Sequence, residues 1–121
     1  MAQSGNIVEL LEAGMNAERL RQQAIASNLA NMATPGYRRL DVKFEELLAK
    51  ALNSPDGNDL DKLEPEIYQP LNTAVRSNGN DVDMEMEVGN LVQNSLRYTA
   101  YVRLMQKRFT QIEKAISLGG A

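Results

Sequence analysis

The residues most suggestive of chemistry are carboxylates at alternate positions ahead of the last helical segment. Asp81, Asp83 and Glu85 follow one another in this way, as oxygen ligands do in a calcium-binding loop. Such a loop requires glycine at its sixth position, where this sequence has Met86. A loop that begins at Asp56 fails for the same reason. We therefore interpret the acidic run as the capped N-terminus of a helix.

Two pairs of carboxylates could in principle act as a general acid and a general base. They are Glu45 with Glu46, and Glu64 with Glu66, and we expect both to be solvated charges on a surface helix or loop. The chain has no Cys and no His, which excludes thiolate nucleophiles, imidazole bases and the usual zinc ligands. The sequence predicts a protein that is not an enzyme, with no cofactor and no metal site.

Composition favours one domain of 121 residues that does not bind nucleic acid. The net charge is −3 and the basic residues are scattered rather than gathered in one stripe. We expect no membrane span, because no apolar run approaches the roughly 18 residues required. Residues 1–14 contain no Lys or Arg, so we also expect no cleaved secretory signal.

The N-terminal third has the residue spacing of one helix face. Small and apolar residues recur at intervals of three and four, and they are Leu10, Ala13, Ala17, Leu20 and Ala24. The pattern predicts a helix that ends near Asn31. Its small side chains would let another helix approach closely.

A turn and a short helix are predicted next. In the sequence Thr34-Pro35-Gly36-Tyr37, proline presets the second position of a turn and glycine tolerates a positive φ at the third, which indicates a type II turn. Helical spacing then predicts a helix from Asp41 to Leu52, with Asp41 as its cap.

Residues 53–80 are predicted to form an irregular connector. They contain three prolines and the turn signals Asp56-Gly57 and Asn78-Gly79. Glu66-Ile67-Tyr68 could form one strand of a small hairpin with residues around Thr73 to Val75.

The C-terminal third has the strongest periodicity, and it predicts one helix from Asp83 to Leu118, roughly 50 Å long. Acidic residues gather at its start and basic residues towards its end, which suits the helix dipole. A second stripe through Val92, Leu96 and Leu104 widens the apolar face. The heptad positions are Met84, Val88, Leu91, Ser95, Tyr98, Val102, Met105, Phe109, Ile112 and Ile116.

The predicted fold is mainly α, with long N- and C-terminal helices packed as an antiparallel coiled-coil pair, a short middle helix and an irregular connector that could contain a hairpin. One structural unit would consist of 1–32, 33–80 and 81–121. Part of its apolar surface should be left for neighbouring subunits. This predicted assembly seam comprises Leu10, Ala17, Leu20, Ala24, Val88, Leu91, Tyr98, Val102, Met105, Phe109, Ile112 and Ile116.

Residues 26–37 read ASNLANMATPGY. They closely resemble the N-terminal signature of flagellar rod, hook and hook-associated proteins, SNxANxxTPGY. The short chain, the run at 40–45, and residues 79–86 leading into 94–98 are similar to the proximal rod members of that family. The signature positions are Ser27, Asn28, Ala30, Asn31, Thr34, Pro35, Gly36 and Tyr37.

The resemblance implies a structural subunit of the proximal rod of the bacterial flagellar basal body. Such a subunit would pass through the flagellar type III export channel without a cleaved signal peptide and lie in the periplasmic rod. Implied partners are further copies of the chain, other rod subunits, the adaptor between rod and export gate, the MS-ring and the export apparatus. A helical export chaperone or adaptor that stays in the cytoplasm is the alternative.

The signature has two open interpretations. Asn28 and Asn31 could hydrogen-bond carbonyl groups at the helix end or reach a neighbouring chain, while Tyr37 packs as an amphipathic plug. Both roles are compatible with the sequence.

Overall fold

A computed structural model describes residues 2–55 and 62–119. The described elements are helix α1 (Ala2–Ala30), strand β1 (Asp41–Lys43), helix α2 (Glu45–Leu52), strand β2 (Glu66–Tyr68) and helix α3 (Met84–Gly119). The predicted turn at Asp56-Gly57 lies outside the described residues.

Helices α1 and α3 pack against each other in antiparallel orientation. The side chain of Asn94 contacts Glu18, Tyr101 lies against Gly14, and Leu104 lines a groove together with Leu11. Residue numbers thus rise along α3 as they fall along α1. The predicted mainly helical fold, with its terminal helices packed together, is confirmed.

The helical hairpin has two ends. We call the end where α1 finishes and α3 begins the signature end, and the opposite end, with Ala2 and Gly119, the far end. Small residues of α1 allow the close approach of its neighbours, since Ala17 and Ala24 are 0% and 3% exposed.

We call the segment between the two long helices, residues 31–83, the connector, and it supplies the largest core side chain. Phe44, 2% exposed, packs on Ala13 and Ala17 of α1, with Leu48 and Leu63 around it. Burial of such a ring contributes roughly 1.5 to 3 kcal/mol. The connector is therefore fastened to one side of the hairpin rather than suspended from its ends.

The predicted start of the middle helix at Asp41 is wrong. Asp41–Lys43 is strand β1, and α2 begins at Glu45 after Phe44, whose side chain makes no capping hydrogen bond. The carboxylate of Asp41 instead accepts a hydrogen bond from the amide of Val42, at 2.8 Å. Val42 is buried between two half-exposed neighbours, and this alternation is that of a strand.

The predicted partner of Glu66–Tyr68 is also wrong. Strand β2 pairs antiparallel with β1 across the intervening helix α2, and Val42 lies opposite Ile67. Opposite charges at the Lys43–Glu66 pair favour this register. The Lys43 ammonium also lies 5.0 Å from the centre of the Tyr68 ring. Residues 73–75 offer no comparable cross-strand contact.

Candidate assembly interface

The signature turn has the predicted type II geometry. The amide of Tyr37 donates to the carbonyl of Thr34 at 3.3 Å, and Gly36 has a φ of +78°. A second glycine turn docks on it: the Gly36 amide donates to the Asn78 carbonyl at 2.9 Å. A Cβ atom on Gly79 would lie 3.2 Å from the Gly36 Cα atom, so the two turns require glycine at both positions.

Asn28 forms hydrogen bonds with the chain that follows the turn. Its Oδ1 atom accepts from the Leu40 amide at 2.8 Å and from the Tyr37 hydroxyl at 3.0 Å. Its Nδ2 atom donates to the Leu40 carbonyl at 2.9 Å. The Tyr37 hydroxyl is also 2.9 Å from Ser27 Oγ. Asn28 is 0% exposed, so these bonds lie away from water, where an unmatched polar group is costly.

Asn31 acts at the helix end. Its Nδ2 atom donates to the Ser27 carbonyl at 2.9 Å, and its Oδ1 atom accepts from the Thr34 hydroxyl at 3.1 Å. Asn80 completes the arrangement, because its Nδ2 atom donates to the carbonyls of Asn31 and Thr34, both at 2.8 Å. These bonds are all within the chain and add side-chain donors to carbonyl groups that also accept from backbone amides. Four signature members, Ala30, Thr34, Pro35 and Gly36, are exposed.

The segment 76–82 belongs to this site, although sequence reasoning treated most of it as connector. Arg76 donates from Nη2 to the Met32 carbonyl at 2.6 Å and from Nη1 to the Val82 carbonyl. Asn80 and Val82 are 0% and 1% exposed. The sequence signals here were the Asn78-Gly79 turn and the resemblance of residues 79–86 to proximal rod proteins, and neither reveals what lies against the segment.

Two arginines after the signature hold buried carboxylates at the start of α3. Asp81 accepts from the Arg39 amide at 2.6 Å and forms a 3.0 Å ion pair with Arg38 Nε. Arg39 Nε in turn lies 2.8 Å from Glu87 Oε1. Burial opposes ionisation of Asp81, but the Arg39 amide and the Arg38 guanidinium outweigh it and hold the pKa of Asp81 below its ordinary value.

A second polar network joins the middles of the two long helices. Glu18, 1% exposed, accepts from Arg97 Nε at 2.9 Å and pairs with Arg21. Asn94 Nδ2 donates to the Glu18 carbonyl at 2.6 Å. Arg21 also pairs with Glu45 of α2. Burial opposes the charge on Arg21, but Glu45 and Glu18 outweigh this and raise its pKa.

The carboxylates around the start of α3 have two different roles. Asp83 caps the helix as predicted, since its Oδ1 atom accepts from the amides of Glu85 at 3.0 Å and Met86 at 3.3 Å. Asp81 and Glu87 instead enter buried ion pairs. In residues 2–55 and 62–119, no group of three or more acidic residues is arranged to hold a metal ion.

The predicted seam is only partly covered within the chain. Ala17, Ala24 and Met105 are buried. Partly exposed members are Leu10, Leu20, Leu91, Tyr98 and Val102. The exposed members are Val88 at 43%, Phe109 at 51%, Ile112 at 38% and Ile116 at 68%.

Part of the inward-facing side of α3 is polar and lies beside the seam. Glu87, Asn94 and Tyr101 follow one another at intervals of seven residues, the repeat of a helix that packs along a partner. Glu87 and Asn94 are 0% and 3% exposed. Sequence reasoning missed them because it followed apolar residues only, and their seven-residue spacing shows that they share a helix face but not that this face is buried.

Comparison with known proteins agrees with this geometry. The family model described as "Flagella basal body rod protein" matches residues 10–38, which include the whole signature. The flagellar basal body rod protein FlgB of Bacillus subtilis (strain 168) is 30% identical over 123 aligned positions, covering 93% of this chain and 94% of that protein. The chain belongs to the FlgB family.

Two further FlgB proteins are also similar to this chain. That of Borreliella burgdorferi is 31% identical, over 77% of this chain and 82% of its own length. That of Proteus mirabilis is 24% identical over 94% and 96%. Membership of the FlgB family makes the chain a structural component of the flagellar basal body rod. No helix within the described residues is long and apolar enough to cross a membrane.

Proposed function

We propose that this FlgB-family chain is a subunit of the proximal rod and polymerises through its terminal helices into the axial drive shaft of the flagellum. The observation that carries the proposal is the row of exposed apolar side chains along α3. Val88, Phe109 and Ile116 are 43%, 51% and 68% exposed, although they continue one heptad series with buried Met105. Large apolar side chains that remain exposed along a helix are typical of a protein-protein contact.

The amount of uncovered surface supports contact with neighbours. A large apolar side chain contributes roughly 1.5 to 3 kcal/mol when it passes from full exposure to full burial. When a neighbouring subunit covers several such side chains, the free energy gained is large enough to offset part of the cost of association. When two different surfaces of identical subunits meet, the subunits build an open helical array, as a tube requires.

The polar networks support the same proposal in a different way. Asn28 and Asn80 fasten the signature turn to the start of α3, while Glu18 and Asn94 set the register of the two helices. A subunit in a drive shaft must transmit torque without sliding of one helix along the other. Directional hydrogen bonds resist such sliding better than apolar contacts, which have no preferred register.

The remaining parts of the proposal follow from the family. The three stretches 1–32, 33–80 and 81–121 act as one unit, and the assembly seam and the signature are its working surfaces. Its partners are further copies, other rod subunits, the adaptor between rod and export gate, the MS-ring and the export apparatus. The subunit reaches the periplasmic rod through the export channel without a cleaved signal peptide.

Purification of basal bodies from cells that produce a tagged chain tests this proposal. We expect the tagged protein in the rod fraction, and we expect Phe109→Asp to remove it because the charge falls on the seam. Gln106→Asp, an exposed change on the same helix, should be incorporated normally. A protein found only in a soluble complex with other export cargo would contradict rod membership and favour the chaperone or adaptor. Normal incorporation of Phe109→Asp would show that the seam is not a contact.

A further inference from the structure

We propose that an apolar ridge near the signature end of α3 docks into a groove at the far end of the helical hairpin in a second copy of the chain. The ridge consists of Val88, Val92 and Leu96. The far-end groove is lined by Ile7, Leu11, Leu104, Lys107, Arg108 and Gln111. This inference rests on the proposed polymerisation and adds which two surfaces meet.

The ridge points away from the rest of its own subunit. Its three members follow one another at intervals of four residues and therefore lie along one row of the helix surface. Val92 and Leu96 are 56% and 67% exposed. At about 100° per residue, they lie on the opposite side of α3 from Glu87, which faces into the fold.

The far-end groove continues a surface that the connector covers nearer the signature end. Asn90, Arg97, Leu104 and Gln111 follow one another at intervals of seven residues on one side of α3. The first two line a cleft with Leu40 and Asp41 of the connector. The other two line the far-end groove, whose walls come from α1 and α3 alone.

The far-end groove is suited to an apolar ridge. Its volume is about 240 Å³, and Ile7 and Leu104 on its two sides are 40% and 51% exposed. No described residue of the connector lines it. The connector covers the same surface of α3 nearer the signature end. At the far end, a row of side chains from another subunit can cover it in the same way.

Charge favours a contact between unlike ends. Glu85 lies beside the ridge, and Lys107 lies beside the far-end groove. A contact of ridge with groove brings these opposite charges together and leaves a free ridge and a free groove for the next copies. A two-fold contact of ridge on ridge would instead close a dimer and leave the groove empty.

Cross-linking tests this contact directly, because the chain has no native cysteine. Two copies are produced in the same cell, one with Val92→Cys and one with Leu104→Cys, and basal bodies are treated with a short bismaleimide. We expect a cross-linked pair between the two copies. Gln93→Cys in place of Val92→Cys is the matched control: it is exposed but turned about 100° away, and we expect several-fold less product.

The outcomes separate the two proposals. If both copies are in the basal body without cross-linking above the Gln93 control, the ridge-groove contact is overturned and rod membership stands. If Val92→Cys instead cross-links to Leu96→Cys, the contact is the two-fold one and our inference is also overturned. Absence of the protein from basal bodies overturns the proposed function itself. Glu85→Lys should reduce the cross-link, and adding Lys107→Glu should restore it.

Discussion

The Tyr101 ring of α3 lies directly against Gly14 of α1. A Cβ atom placed on Gly14 would lie 2.4 Å from the Cε1 and Cζ atoms of the Tyr101 ring. Contacts this short do not occur, so the Tyr101 ring takes the place of a missing side chain. The helix carries glycine here in spite of its poor helix propensity.

Gly14→Ala should therefore have opposite effects in two backgrounds. In the native chain we expect a loss of about 1 to 2 kcal/mol in the free energy of unfolding, because overpacking outweighs the gain in helix propensity. In Tyr101→Ala the same change should stabilise by roughly 0.5 to 1 kcal/mol, because only the propensity term remains. Urea unfolding of all four proteins measures the difference, and equal effects in both backgrounds would contradict the close approach.

Asn28→Asp should be strongly destabilising although it preserves shape. The substitution removes the donor to the Leu40 carbonyl and places a charge at a site that is 0% exposed. We expect the free energy of unfolding to fall by about 2 to 4 kcal/mol, because a buried carbonyl loses its donor and a buried charge has no counter-ion. Asn16→Asp, exposed on the same helix, is the control and should change stability little. Equal unfolding midpoints for the two variants would show that the hydrogen bonds of Asn28 do not stabilise the fold.

Three glycines should respond differently to alanine. Gly36→Ala should cost about 1 to 2 kcal/mol, because an L-residue resists positive φ, although nothing lies within 4 Å of the added atom. Gly79→Ala should cost more, since its added atom also meets the Gly36 backbone. Gly89→Ala lies in α3 with open space around it and should stabilise by roughly 0.5 to 1 kcal/mol. Thermal unfolding gives the order, and a harmless Gly79→Ala would exclude the docking of the two turns.

Asp81 should make the fold sensitive to acid. Its pKa is lowered in the folded state by the Arg39 amide and the Arg38 guanidinium, against the effect of burial. A lowered folded pKa gives stability that is complete above the unfolded value near about 4 and is lost as pH falls through the folded pKa. Asp81→Asn should therefore cost about 3 kcal/mol at pH 7 by breaking a buried pair, and should flatten the loss of stability on acidification.

The matched control for this experiment is Asp83→Asn. Asp83 is an exposed helix cap, and asparagine caps a helix as well as aspartate does. The free energy of unfolding of Asp83→Asn should depend on pH in the same way as that of the native chain, from pH 7 down to low pH. An Asp81→Asn protein with the native acid response would show that other carboxylates control the transition.

The sequence by itself determined the two long helices and the signature turn. Heptad spacing and local capping are properties of contiguous residues, so both ends of α3 and the C-terminal end of α1 were predicted to within a residue or so. Gly36 at the third position of Thr34-Pro35-Gly36-Tyr37 sufficed to indicate a type II turn, because the backbone angles of a turn depend on its own four residues.

Only the tertiary structure decided which residues lie between the helices and what the connector does. Glu18, Glu87 and Asn94 are buried because partners far along the chain meet their polar groups, and no local pattern encodes those partners. The same reason explains the misplaced strand: Val42 pairs with Ile67 across a helix whose packing on α1 brings the two segments together. Long-range pairing depends on how whole elements dock, which spacing along one segment cannot specify.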